Sequence, residues 1–176
     1  MSGDAPLSVL MISPQFRPIL GGYERAAERV STALARAGTR VVVVAERRDR
    51  AWPAVEPIDG YEVRRLSCLY RPHLHIVTSL LALAGFLLFH GRKFDVWHVH
   101  QYGFHAALAV ALGKVLRRPV VLKLTNTAAH SFFDAPGAVG RILRFFHRRV
   151  SACLAVSEET REELSLIHIS EPTRPY

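Results

Sequence analysis

Apolar and polar positions divide this chain into two kinds of segment that alternate from residue 8 onwards. Short apolar runs are typical of strands in a buried sheet, and they lie at 8–13, 40–45, 61–66, 94–100, 119–124 and 152–156. Longer segments that suit helices lie between them at 23–37, 74–89, 106–116 and 139–150. This order predicts an α/β fold with a doubly wound, mostly parallel, Rossmann-like sheet.

Two adjacent glycines, Gly21 and Gly22, stand between the first strand and the first helix. Glycine lets the backbone come close to a ligand, and the free N–H groups at a helix N-terminus attract anions. We therefore predict either phosphate binding here or a turn that only packs the helix on the sheet. A dinucleotide site is the weaker form of the first alternative, because the spacing is not G-x-G-x-x-G.

Polar residues follow two later strands, at the edge where doubly wound sheets bind ligands. His100 and Gln101 end the fourth strand, and Thr125 and Asn126 follow the fifth. Their amide and hydroxyl groups could hold sugar hydroxyls or phosphate oxygens, or could form a cap or turn. His98 lies one pleat below His100, so we predict a hydrogen-bonded core histidine there, while His100 suits either the core or a site. No metal site is predicted, because these histidines lack partners at ligand spacing.

The helical segment 74–89 contains no charged residue. Such a helix is buried in a core, spans a membrane, or contacts a membrane surface. A span needs about 20 apolar residues, and this run is shorter and interrupted by polar residues, so we expect a fully buried core helix before the membrane alternatives. The segment 128–140, rich in glycine and aromatic residues, predicts a mobile loop over the site.

The segment 139–150 predicts an amphipathic helix. One face is apolar and should pack on the sheet. The opposite face suits anionic lipid, because it places a phenylalanine among arginines; alternatively the phenylalanine packs under a loop or against another domain. The apolar face consists of Val139, Ile142, Leu143, Phe146 and Val150, and the opposite face of Arg141, Arg144, Phe145 and Arg148, with Arg149 alongside.

Composition narrows the class of protein. The chain has 176 residues, 49% of them hydrophobic, and a formal net charge of +8. It suits a single intracellular domain, and no signal peptide precedes the first strand, so we predict a cytoplasmic protein. Cys68 and Cys153 are expected to be small buried hydrophobes. The positive charge suits anionic lipid or phosphorylated molecules; nucleic acid is not predicted, because no nucleic-acid-binding module is recognisable.

The last segment, 165–176, departs from the pattern before it and resembles the translated read-through of a sequencing-library adapter. We therefore predict a domain at 1–164 and a non-native tail at 165–176, to be left out of fold reasoning.

From Ser8 to Leu164 the chain resembles the N-terminal domain of a GT-B glycosyltransferase of the large retaining family four. The order and spacing of several motifs carry this resemblance. They are Arg17-Pro18 through Gly21-Gly22-Tyr23-Glu24, the helix end Ala37-Gly38, Asp95-Val96-Trp97-His98-Val99-His100, Pro119-Val120-Val121 and Ala155-Val156-Ser157-Glu158.

The resemblance implies a substrate and site residues. Gly21 and Gly22 would approach the diphosphate of a nucleotide-sugar donor, which is a substrate and not a cofactor. Gln101 and Ser157 would line the cleft between two domains. Relatives usually hold a histidine near the transferred sugar where this chain has Thr125, so the candidate catalytic residues here are His100, Thr125 and Asn126.

The resemblance also implies that a second domain, outside this chain, binds the nucleotide. We therefore expect a fragment of an enzyme that transfers a sugar to a glycan, lipid or small-molecule acceptor, inactive by itself. The alternatives are a stand-alone Rossmann-like domain for a nucleotide or phosphorylated metabolite, and a membrane-surface adaptor at the inner face of the membrane.

Overall fold

The computed structural model describes residues 6–19, 21–72, 74–124 and 137–154. Within these ranges it contains seven strands and four longer helices, with a short 3-10 turn, Gly91–Lys93, after the second helix. In chain order the elements are β1 (Ser8–Ile12), α1 (Gly22–Arg36), β2 (Arg40–Arg47), β3 (Val55–Ile58), β4 (Tyr61–Ser67), α2 (Leu74–His90), β5 (Val96–His100), α3 (Phe104–Leu116), β6 (Val120–Lys123), α4 (Gly137–His147) and β7 (Ala152–Leu154).

The strands form one sheet in the order β3-β4-β2-β1-β5-β6-β7. Every neighbouring pair is parallel except β3 with β4. From β1 the chain first winds towards β2, and after β4 it crosses back over β1 to β5. Because right-handed crossovers in opposite directions lie on opposite faces, α1 covers one face and α2, α3 and α4 the other. The predicted doubly wound, mostly parallel α/β fold is confirmed.

Two apolar clusters fill the space between the sheet and these helices. Leu10, Trp97 and Leu122 are fully buried under α2, α3 and α4. Met11 and Val43 point to the other face, under α1. Each fully buried side chain of this size contributes roughly 1.5–3 kcal/mol to folding, so these alternating strand residues hold both helix layers on the sheet.

Strand β3 was not predicted from the sequence. It is a four-residue antiparallel edge strand that contains Pro57, and a proline in so short a run argues against a strand in the middle of a sheet. The available signal was the pair Asp59-Gly60, whose φ angles of 45° and 88° form the two-residue turn of a hairpin.

Helix α1 packs on the sheet through a mixed face. Its fully buried residues are Glu24, Ala27 and Ser31, and Val30, Leu34 and Ala35 are half-buried against the same core cluster. Ala37, the C-cap residue of the helix, is exposed.

The expectation that α2 is fully buried is wrong. Of its seventeen residues only Leu83, Phe86 and Leu87 are buried, because the helix rests on the sheet and α3 along one narrow line. Among the described residues, Leu74–Lys93 is the helical segment with the length and composition to cross a membrane, a test that core helices also pass, and 22% of it is buried.

Helix α4 begins at Gly137, so 137–140, predicted as part of a mobile loop, is helical, while 125–136 lies outside the described residues. Leu143 is buried, and Phe146 and Val150 are half-buried against the core. The other two predicted contacts with the sheet are wrong, since Val139 and Ile142 are exposed. The reason is that α4 lies at the end of its layer and packs against α3.

The two cysteines, Cys68 and Cys153, are half-buried and not fully buried as expected. Strand β7 is described as far as Leu154; the predicted strand residues 155–156 and the tail at 165–176 lie outside the described residues.

Candidate functional site

The carboxyl ends of the parallel strands form one edge of the sheet, and ligands bind at this edge in folds of this type. The helical connection after β1 runs towards β2, and the one after β5 runs in the opposite direction, towards β6. These two strands pair directly, from Val9 with Val96 to Ile12 with Val99. Helix α1 starts beside this point, because it follows β1 after a turn of nine residues. The arrangement leaves an opening above the sheet that neither helix layer covers.

The first turn of α1 is open to solvent. Gly21 is the N-cap residue, and no side chain caps the helix. A Cβ atom at Gly21 would lie 2.6 Å from Oε2 of Glu24, so a larger residue there would have to displace this carboxylate, whereas a Cβ at Gly22 would meet nothing within 4 Å. The turn therefore presents N–H groups and the positive end of a helix dipole to unoccupied space.

A polar network supports this turn from below. The Gln15 amide, oriented with its nitrogen towards α1, donates to the Tyr23 hydroxyl at 2.7 Å and to Oε1 of Glu24 at 2.8 Å. Its oxygen accepts from the Arg48 guanidinium. Burial, with the Glu24 carboxylate beside it, raises the pKa of Tyr23, so the hydroxyl stays protonated. The network joins the ends of β1 and β2 to the start of α1.

A second cluster lies where β2 and β4 end and α2 begins. Oε2 of Glu46 lies 2.6 Å from the Tyr70 hydroxyl, 3.2 Å from Nε2 of His75 and 3.5 Å from Nη2 of Arg48. Glu46, Cys68 and His75 place possible metal-ligating atoms within 4.8 Å of one another. A metal ion would have to compete with Arg48 for the same carboxylate, so the cluster is better explained as a hydrogen-bonded network. The absence of a metal stays a prediction.

His98 and His100 lie side by side on one face of β5, with ring centroids 4.6 Å apart and ring planes tilted by 38°. His100 is the last residue of β5, at the carboxyl end of the strand, and its side chain is fully buried. Burial lowers the pKa of His98 to about 4 and that of His100 to about 3, with the Lys123 charge adding to the effect. His98 is buried as predicted, but within the described part of the chain its Nε2, like both ring nitrogens of His100, has no hydrogen-bond partner.

The turn after β5 is held in an unusual conformation. Gln101 has a φ of 75°, which is uncommon for a residue with a side chain. Nε2 of His105 lies 2.9 Å from the Gln101 carbonyl oxygen and donates to it. The backbone at this position is therefore fixed from α3, and Gln101 stays at the strand edge where the sequence placed it.

A small cavity of about 30 Å³ opens between the strand ends and α2. It is mostly apolar, and its polar groups come from Glu46, Ser79 and His105. It admits one small apolar group next to the Glu46 cluster. No sequence pattern indicates this cavity, because its walls come from five segments that are distant in sequence.

Some of the predicted site residues lie elsewhere or outside the described ranges. Thr125, Asn126 and Ser157 fall in the segments that the structure does not describe. The predicted membrane-contact residues lie on α4, where Arg141, Phe145 and Arg148 are exposed and Arg144 is half-buried. The structure thus brings Gly21, Gly22 and Gln101 to one edge of the sheet and leaves the α4 residues on the helix layer.

Comparison with solved structures shows the same fold. Sucrose-phosphate synthase from Thermosynechococcus elongatus has a TM-score of 0.72 at 16% identity, over 96% of this chain and 47% of that chain. MurG from Acinetobacter baumannii has a TM-score of 0.52 at 15% identity, over 85% and 41%. The UDP-GlcNAc 2-epimerase from Methanocaldococcus jannaschii has a TM-score of 0.54 at 14% identity, over 94% and 43%. This chain spans less than half the length of each of these three proteins.

Fold similarity at such identities does not distinguish a transferase from an epimerase. No curated protein has a significantly similar sequence. The sequence does match the glycosyl transferase 4-like domain over residues 21–174, which is most of the chain. The chain therefore belongs to the glycosyl transferase 4-like family, and its fold is that of the N-terminal domain of GT-B glycosyltransferases.

Proposed function

We propose that this chain forms the acceptor side of a glycosyltransferase that moves a sugar from a nucleotide-sugar donor to a hydroxyl group of a glycan, a lipid or a small molecule. The family match over residues 21–174 carries the proposal. In the reaction the bond from the sugar to the diphosphate breaks, the acceptor oxygen bonds to the sugar, and the hydroxyl proton is released. The protein contributes by stabilising the leaving diphosphate and by positioning the acceptor.

The open turn at Gly21 and Gly22 suits the donor diphosphate. Its uncapped N–H groups face free space above Gly22, and a ligand's phosphate oxygens could approach the backbone closely there. Arg48 contacts the Gln15 amide in the polar network beneath this turn. Its charge is partly neutralised by Glu46 at 3.5 Å. We therefore assign the diphosphate contact to the backbone, and no part of it to an arginine side chain.

The apolar cavity and Gln101 suit the acceptor. The cavity lies at the same edge as the glycine turn, and the ordered Gln101 backbone borders the opening between β1 and β5. We propose that one apolar part of the acceptor enters the cavity while its hydroxyl group faces the donor. The nucleotide and the sugar would be held by a second domain, and we propose a cytoplasmic location for the assembled enzyme.

Transfer assays test the proposal. The 176-residue chain and the protein encoded by its complete reading frame would be incubated with radiolabelled UDP- and GDP-sugars and a panel of glycan and lipid acceptors. We expect transfer by the complete protein and none by the chain alone. We expect Gly22→Val to lower kcat/KM by about tenfold or more, because its side chain would occupy the space next to the backbone N–H groups.

Gly85→Val is the matched control, since a Cβ at Gly85 also meets nothing within 4 Å and this helical glycine lies on α2. Equal losses in both variants would refute the role of the glycine turn. Transfer by the chain alone would refute the need for a second domain. Nucleotide binding without any transfer by the complete protein would favour the stand-alone binding domain.

A further inference from the structure

The outer face of the layer formed by α2, α3 and α4 is apolar, although it is exposed. On α2 the exposed side chains follow helical spacing, and Leu81 and Phe89 are 66% and 82% exposed. The neighbouring helices α3 and α4 continue this surface, because α3 contacts both α2 and α4. We call it the outer face; its large exposed side chains are Leu74, Ile76, Val77, Leu81, Leu88, Phe89, Phe104, Val115, Val139, Ile142 and Phe145.

Helix α1, on the opposite side of the sheet, has a different surface. None of the large exposed hydrophobic residues in the described part of the chain lies on α1. Its charged residues outside the core include both signs, with Glu28 beside Arg25 and Arg29. Of the two helix layers, only the one formed by α2, α3 and α4 thus carries large exposed hydrophobic residues, and a concentration of such residues on one surface is typical of an interaction site.

The charges on the three helices of the outer face are of one sign. The helices α2, α3 and α4 contain no aspartate or glutamate. Basic residues stand at the ends of α2 and α3 and along α4, and Arg149 lies over the ring of Phe145, 3.4 Å from its centroid. The nearest carboxylate in sequence among the described residues, Asp95, already accepts hydrogen bonds from Ser8. The exposed basic residues of this layer are Arg71, Arg92, Lys93, Lys114, Arg117, Arg141, Arg148 and Arg149.

We propose that the outer face binds to the surface of an anionic lipid bilayer, with α2 lying in the plane of the interface. An apolar helix face bordered by cations matches acyl chains and anionic headgroups at once. A second copy of the chain is a poorer match, because pairing two outer faces would bring their basic borders together. A covering domain of the same protein is the remaining occupant, and the test distinguishes it.

The proposed orientation also determines where the candidate site lies relative to the membrane. Helix α2 starts directly after the Glu46 cluster, since Tyr70 and His75 both contact Glu46. From there α2 runs away from the strand edge for about 25 Å, at 1.5 Å per residue. The start of α2 and the acceptor cavity would then lie near the headgroups. Binding to lipid needs neither a sugar donor nor transfer, so this inference can fail or hold independently of the proposed function.

Vesicle co-sedimentation of the purified chain tests the proposal, using vesicles of phosphatidylcholine alone and vesicles with roughly one third phosphatidylglycerol. We expect binding to the anionic vesicles that weakens as salt is raised, because the attraction is screened. The double variant Leu81→Ser/Phe89→Ser should lower the binding constant about tenfold or more, since two exposed apolar side chains no longer leave water.

Two matched controls separate the outer face from general effects. Val55→Ser removes an apolar side chain that is 52% exposed on β3, at the far edge of the sheet, and should leave binding unchanged. Arg141→Glu/Arg148→Glu should weaken binding to anionic vesicles at least tenfold, because each basic residue near the surface contributes about 1 kcal/mol. The same charge reversal on α1, Arg25→Glu/Arg29→Glu, should lower it far less.

Circular dichroism would verify that each variant is folded, and Phe89→Trp supplies a readout that removes no apolar residue. Its fluorescence should shift to the blue, and lipids with a quencher near the headgroup should quench it. Failure of the wild-type chain to bind either vesicle, or equal binding to both, would overturn the proposal. Dimerisation of the wild-type chain that is lost in the Leu81→Ser/Phe89→Ser variant would also overturn it. Failure of the complete protein to bind the anionic vesicles would do the same.

Discussion

Acidification should destabilise this domain through two neighbouring buried histidines. His98 and His100 are buried on β5, and burial lowers their pKa values to about 4 and about 3 from an ordinary value of 6.5. In the unfolded chain both would take up a proton near pH 6.5, whereas in the folded chain they stay neutral until the pH is much lower. Stability is therefore fully present above pH 6.5 and is lost as the pH falls below it.

The magnitude follows from the two pairs of pKa values. At about pH 5 an ordinary histidine is almost fully protonated, while a histidine with a pKa near 4 or 3 is mostly neutral. Each of the two then reduces the free energy of unfolding by about 2 kcal/mol relative to about pH 8, and together by about 4 kcal/mol. His105, whose pKa burial also lowers, acts in the same direction. A loss of this size is a large fraction of the stability of a typical domain.

Urea unfolding followed by circular dichroism measures the effect at a series of pH values. His98→Leu and His100→Leu should each flatten the dependence between about pH 8 and pH 5 by about half, since leucine has no proton to take up. NMR titration of the ring protons gives a second measurement that needs no variant. If both rings titrate near pH 6.5 in the folded chain, or if the double variant keeps the full pH dependence, the burial argument is refuted.

Three further substitutions have definite expected costs in urea unfolding experiments. Gly21→Ala should destabilise by about 1–2 kcal/mol, because its Cβ would lie 2.6 Å from Glu24, and adding Glu24→Ala should recover part of this loss. Arg65→Met should cost about 2–3 kcal/mol, because Arg65 is buried, donates to Glu56 at 2.6 Å and satisfies two backbone carbonyls. Gly113→Ala should cost about 1–3 kcal/mol, because its Cβ would lie 2.6 Å from a methyl group of β6 and push α3 away; no change in any of the three midpoints would contradict the packing described.

The order of strands and helices could be predicted from the sequence because the spacing of apolar residues within each segment indicates a strand or a helix. The apolar runs predicted at 8–13, 40–45 and 94–100 contain the parallel strands β1, β2 and β5. The degree of burial of α2 could not be predicted, because a helix without charge has the same pattern whether protein, lipid or solvent covers it. The position of α4 at the end of its layer, which exposes Val139 and Ile142, is likewise set by the neighbours and not by its own pattern.

The candidate site was predictable only where it is local in sequence. Gly21 and Gly22 stand next to each other, and their place before a helix is visible in the sequence. The cluster of Glu46, Tyr70 and His75 joins residues more than twenty positions apart, and only the pairing of β2 with β4 brings them together. The burial of a side chain could not be predicted from the pattern either. Alternation along a strand shows which face of the sheet His100 lies on, but not how deeply it is buried.

The edge hairpin formed by β3 and β4 has a consequence for how the protein behaves when it is concentrated. The outermost strand of an open sheet offers backbone groups to any other extended chain, which is how soluble domains begin to aggregate. Here the outermost strand has only four residues, and Pro57 among them has no N–H to offer. This edge of the sheet is therefore poorly suited to recruit further strands, and a substitution such as Pro57→Val would remove a safeguard against polymerisation while leaving the fold intact.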